Sequence, residues 1–163
     1  MAETNGETAG TGGVTLAVNA QYVKDLSFEN PRAPQSLVQQ KAQPEVQLGV
    51  DVKARNLGPD LFEVVLTLNA KATAEDETVF VVELAYAGVV TAKADDQNLM
   101  PFLILVETPR LLFPFARNII AGATRDGGFP PLLINPIDFT ELLRRQQQQQ
   151  QQQGGDQQPT AVA

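Results

Sequence analysis

Neither cysteine nor histidine occurs anywhere in this chain of 163 residues. Without cysteine there are no disulfides and no thiol chemistry, which suits a reducing compartment. Without histidine the chain lacks the commonest general base, the commonest metal ligand and the Ser/His and Cys/His nucleophile pairs. Tryptophan is also absent, and the aromatic set is limited to eight Phe and two Tyr. Basic residues are scarce, 12 Lys and Arg against 19 Asp and Glu, which leaves a net charge of −7. A nucleic-acid binder would present a basic face, and anionic lipid is disfavoured for the same reason. A basic protein partner is compatible with this charge, although solubility alone also accounts for it. No P-loop, Rossmann glycine fingerprint or zinc-ligand pattern occurs. The carboxylate clusters Asp95-Asp96 and Glu75-Asp76-Glu77 fall at expected element ends and lack calcium-loop spacing. Catalysis, a cofactor and a resident metal are therefore not expected. The first residues carry no Lys or Arg and no apolar segment of the secretory kind, so a cytoplasmic location is expected.

What the chain does have is an apolar stretch from Leu99 to Ile120, where 14 of 22 residues are apolar and only Glu107, Arg110 and Arg117 are charged. Prolines at 101, 109 and 114 divide it into runs too short to cross a bilayer. A helix apolar around most of its girth has to be covered on every side. The chain's own sheet is expected to cover one side, and a second subunit or a bound partner the other.

Residues 1–13 are rich in Gly, Thr and Glu without apolar periodicity and read as a disordered arm. Residues 146–163 open with eight consecutive glutamines and read as a Gln-rich disordered tail, the tract extending the preceding helix for a turn or two before fraying. One domain is expected between them, at 14–145. Val14, Leu16, Val18, Ala20 and Tyr22 alternate with mostly polar residues, as do Val46, Leu48, Val50, Val52 and Ala54. After the turn signal Gly58-Pro59-Asp60 the same period recurs at Phe62, Val64, Leu66, Leu68 and Ala70, and then at Phe80, Val82, Leu84 and Tyr86. Val79, Val81 and Glu83 then face outward, a sticky and acidic outer surface. Short links between the last three strands predict an antiparallel meander. The loop from Asn30 to Pro44 permits a different neighbour for the first strand. Thr108-Pro109 has the form of an N-cap followed by N1, so the helix is expected to break and restart there, to bend at Pro114 and to stop at Gly127-Gly128. Leu112, Phe115, Ala116 and Ile119 are expected on one face, with Arg110 and Arg117 on another. Asp138 to Glu141 has capping-box spacing and opens a short last helix. The expected class is α+β: a four-stranded antiparallel sheet, a long broken helix and a short C-terminal helix.

Several segments, in order, resemble the SecB family of bacterial export chaperones. They are Tyr22-Val23-Lys24-Asp25-Leu26-Ser27-Phe28-Glu29, Gln43-Pro44-Glu45-Val46, Phe62 to Leu66, Glu77 to Phe80, Leu111-Leu112-Phe113-Pro114-Phe115-Ala116-Arg117, Phe129 to Leu132 and Pro136 to Phe139. The resemblance spans about residues 21–143. It implies an ATP-independent holdase that binds unfolded precursor proteins and delivers them to the SecA motor. It also implies a homotetramer, a dimer of dimers that sandwiches the long helices, without nucleic acid and without direct membrane insertion. By the same resemblance, SecA docking falls on Asp25, Glu29, Val81 and Glu83, whose acidity suits the basic zinc-bearing tail of that partner. A client groove falls among Phe113, Phe115, Phe129 and Phe139, some of them ordinary core. Two features depart from the family pattern: Ala42 stands where many members carry Trp, and the glutamine tract is not a family feature. One alternative is a SecB-like chaperone dedicated to a single client such as an antitoxin. Another, from a different class, is a hot-dog thioesterase, for which the core of the long helix offers only Glu107 as an acid or base.

Overall fold

The computed structural model describes residues 13–39 and 42–154. Four strands, β1 (Val14–Glu29), β2 (Glu45–Gly58), β3 (Leu61–Ala74) and β4 (Glu77–Ala94), form one antiparallel sheet in the order β1-β4-β3-β2. The meander β2-β3-β4 is as expected. The connection after β1, which holds a short helix at Gln35–Val38, carries the chain to the far edge of the sheet. All four strands extend well beyond their clean alternation.

A helical run from Gln97 to Asp126 crosses the inner face of the sheet, and a last helix spans Phe139–Gly154. The core lies between them. Val64, Leu66 and Leu68 of β3 and Val82 and Leu84 of β4 meet Val106, Leu112, Ala116 and Ile120 of the long helix. These side chains are almost wholly withdrawn from water, each worth roughly 1.5–3 kcal/mol. The helix comes close because β4 offers Gly88, where a Cβ would lie 2.9 Å from the Leu112 Cδ2 atom.

Two expectations about this helix are corrected. It does not break at Pro109. A π-helical stretch over Leu103–Glu107 precedes that residue, and the wider turn absorbs the missing N–H without ending the helix. Thr108 is accordingly not an N-cap: it is buried, and its hydroxyl donates to the Leu103 carbonyl at 2.8 Å. The unbroken run is long and apolar enough to cross a membrane by length and composition, and 44% of its most apolar window is buried in this fold. Nor do Leu112, Phe115, Ala116 and Ile119 share one environment. Leu112 and Ala116 are buried, Ile119 is half-buried and Phe115 is exposed.

The helix ends where Gly128 takes φ +93°, the left-handed region that glycine enters freely. The last helix opens as expected, the Glu141 amide donating to Asp138 Oδ1 at 3.1 Å. It runs to Gly154 and takes in Gln146–Gln153. Residues 1–12 of the expected arm at 1–13 and residues 155–163 of the tail lie outside the described residues.

Candidate functional site

The outer face of the sheet, turned away from the long helix, is set by strand register. Glu29 lies opposite Val81, Ser27 opposite Glu83, and Asp25 opposite Ala85. Directly opposed residues of an antiparallel pair share a face. Asp25, Glu29, Val81 and Glu83 therefore form one patch on β1 and β4. Asn69 of β3 borders it and donates to Glu83 Oε1 at 3.1 Å. The three carboxylates are exposed and Val81 is half-buried among them.

Asp25 and Glu29 owe their direction to two bulges. On β1, Asn19 is an extra residue between Val18 and Ala20, and Lys24 a second between Val23 and Asp25. Each bulge reverses the alternation. Leu16 and Val18 thus face the core, but Ala20 and Tyr22, expected beside them, are turned to the outer face. The second bulge restores the phase, so Asp25, Ser27 and Glu29 again point outward. The expected outward position of Val79 is corrected by a third irregularity. Ala72 pairs with Phe80 and Thr73 with Thr78, which leaves Val79 as the extra residue. It is only 5% exposed, lining a small recess with Ser36 and Arg32 of the connection after β1.

Turned outward, Tyr22 completes an ionic network that sequence reading missed. Its hydroxyl donates to Glu63 of β3, as do Lys24 Nζ at 2.9 Å and Arg55 Nε at 3.1 Å. Ala87, opposite Tyr22 on β4, is small enough for Tyr22 and Lys24 to reach across it. Glu63 is buried, and these donors hold its carboxyl at about 2, Lys24 and Tyr22 acting most strongly. The hydrogen bond to Glu63 in turn raises the Tyr22 hydroxyl above its usual value. The only available signal was the charge of Glu63 within the otherwise apolar run Leu61–Leu66.

On the inner side, a groove of about 480 Å³ lies between Pro44 and Val46 at the start of β2 and the segment Phe129 to Leu132. A second hollow of about 320 Å³ shares Val46 and Leu132 and continues past Leu48 to Ile137, so the two form one apolar trench. β2 is an edge strand, and Val46 and Leu48 are 39% and 43% exposed along it. The opposite wall is irregular chain tied to the long helix by side chains. The Leu132 amide donates to Thr124 Oγ1 at 2.9 Å, and Arg117 Nε donates to the Ile134 carbonyl at 2.8 Å. Phe28, Phe80 and Phe129 close one end, Phe80 and Phe129 having ring centroids 5.0 Å apart. Gly127 lies under Phe28, where a Cβ would come within 2.2 Å of the ring.

The four phenylalanines are not brought together. Phe129 lines the trench. Phe113 and Phe139 are buried against each other edge to face, 6.3 Å between centroids. Phe115 is 51% exposed and stacks on Tyr86. Ala42 does line the trench, at the position where an aromatic wall was noted as missing. Glu107, the one acid between Leu99 and Ile120, pairs with Arg110 at 2.5 Å.

Residues 10–151 match the model of the family described as preprotein translocase subunit SecB. Among curated proteins, the protein-export protein SecB of Rhodospirillum centenum is 52% identical over 140 residues, 85% of this chain and 83% of that protein. The protein of the same name from Maricaulis maris is 55% identical over 130 residues, 79% of this chain and 75% of that protein. Among solved structures, the Mycobacterium tuberculosis SecB-like chaperone Rv1957, in complex with a ChAD peptide from the HigA1 antitoxin, superposes with a TM-score of 0.62. It shares 12% identity over 75% of this chain and 90% of its own, a likeness of fold alone. With a family model spanning most of the chain and relatives identical at half of their aligned positions, this chain belongs to the SecB family of protein-export chaperones.

Proposed function

We propose that this chain is an ATP-independent holdase that captures unfolded precursor proteins in its apolar trench and delivers them to the SecA motor, in the cytoplasm and as a homotetramer. The observation that carries the reading is the separation of two surfaces on one sheet. An apolar trench lies on the inner side at the β2 edge, and an acidic patch of Asp25, Glu29, Val81 and Glu83 lies on the outer face. A client and a docking partner can therefore be held at the same time.

The trench works by burial. Each apolar side chain of leucine size that leaves water there contributes roughly 1.5–3 kcal/mol. One such contact alone gives no better than millimolar affinity. Four copies of a 17.6 kDa chain, roughly 70 kDa together, would present several trenches to one extended client and turn weak contacts into avidity. Nothing in that cycle calls for nucleotide or a catalytic group. Assembly is supported by the long helix, whose far side leaves Leu99, Phe102, Leu111 and Phe115 at 39–51% exposure. Apolar rows of this kind on a stable protein mark an interface.

The test is a titration in which a slow-folding precursor is diluted from denaturant into this protein without nucleotide, with complex mass and aggregation followed by light scattering. A tetramer-sized complex that suppresses aggregation is expected. A tetramer that ignores the unfolded chain would refute capture. In a parallel titration with SecA, Glu83→Lys should weaken binding at least about tenfold, the loss of one charge-assisted contact, and leave precursor capture unchanged. Equal loss of both activities would overturn the docking assignment.

A further inference from the structure

The outer face is divided by charge along its strands. From Glu29 to Asp25, the rows that pair with Val81, Glu83 and Ala85 carry Asp25, Glu29, Glu83 and, on β2, Asp51, with Lys71 as the cation among them. The next rows, towards Val89, carry Lys24, Lys53 and Arg55 around the single carboxylate of Glu63. These basic side chains rim a hollow of about 530 Å³, with Ala54 and Val65 also among its lining. Glu63 accepts from both Lys24 and Arg55, so two cations share that one acid. Lys53 is 83% exposed and approaches Asp51 only to 3.9 Å.

We propose that this hollow seats an acidic peptide segment bearing an apolar residue, and that the segment belongs to the same partner whose basic element docks on the acidic half. The inference rests on the docking reading above and extends it from one charge to an ordered pair. Charge complementarity argues for the occupant: the carboxylates face Lys53 and Arg55, and the apolar residue lies against Val65. From Glu83 on β4 to Lys53 on β2 is two strands across and four residues along, about 17 Å. An extended chain spans that distance in about five residues. A partner carrying the two charge blocks at that spacing can bind in only one orientation.

The full chain would be titrated by fluorescence anisotropy, at low salt, with three labelled peptides: Arg-Lys-Arg-Lys, Asp-Leu-Glu-Asp, and the two joined through five Gly/Ser residues. Surface attraction is strongest there, the Debye length being about 30 Å at 0.01 M. The joined peptide is expected to bind at least about tenfold tighter than either block. Lys53→Glu, at a solvated position that the fold does not need, should bring it down to the affinity of the basic block. Arg55→Ala should do the same in part. A joined peptide no tighter than the basic block, or one indifferent to Lys53→Glu, would overturn the proposal. Failure of the basic block itself would overturn the docking reading, and this inference with it.

Discussion

Replacing Glu63 by Gln removes the one acid that ties β1, β2 and β3 together across β4, while keeping the size of the side chain. The carboxyl titrates at about 2 in the fold against an ordinary 4.5, which sets a ceiling of about 3 kcal/mol on what the network contributes at neutral pH. The ceiling is not reached, because the cationic partners are in water: Lys24 is 46% and Arg55 67% exposed. Screening of this order leaves about 1–2 kcal/mol. The sign follows from linkage. A carboxyl depressed by folding stabilises fully above its unfolded value of 4.5 and loses that contribution as pH falls towards 2. Urea unfolding followed by circular dichroism, at one protomer concentration, should therefore place Glu63→Gln about 1–2 kcal/mol below the parent at pH 7. The difference should shrink steadily below pH 4.5. Comparing the two proteins at each pH removes the contributions of the other acids. A deficit unchanged at pH 2.5, or none at pH 7, would refute the assignment of Glu63 as the charged hub.

Other expectations are simpler. Phe139 is 1% exposed and packs on Phe113, so Phe139→Ala should cost about 3–5 kcal/mol by denaturant midpoint, with a slope close to the parent's. Phe115→Asp, on the uncovered side of the long helix, should leave secondary structure intact and shift sedimentation to a smaller assembly; an unchanged sedimentation coefficient would remove that side from the interface. Gly127→Ala drives a methyl into the Phe28 ring and should lower stability by about 1–3 kcal/mol while loosening the closed end of the trench, read as weaker binding of a fluorescent apolar peptide.

Strand periodicity survived folding wherever a strand is paired on both sides. Phe62 to Ala70 and Phe80 to Tyr86 read correctly because inner-face burial demands period 2 there. Periodicity turned Val81 and Glu83 outward, but their union with Asp25 and Glu29 in one patch was legible through resemblance alone, since no spacing in one chain states which strands will be neighbours. The phenylalanines were less legible. Phe115 lies near Phe113 in sequence yet faces the opposite way, because helical rotation separates them by about 200°. Phe129 is placed by Gly127 and Gly128 and by the bond from Leu132 to Thr124, none of which has a periodic signature.

By itself the sequence determined the class of the fold, the four strands, the capped last helix and the exclusion of thiol and imidazole chemistry, because these follow from residue type and local period. The tertiary structure decided the bulges at Asn19, Lys24 and Val79, since an extra residue is tolerated only against a particular partner strand. Those bulges turn Tyr22 outward onto Glu63 and bury Val79. It also decided that Pro109 would not end the helix, because the apolar run beyond it has a sheet to cover and a single π-turn costs less than leaving that surface in water.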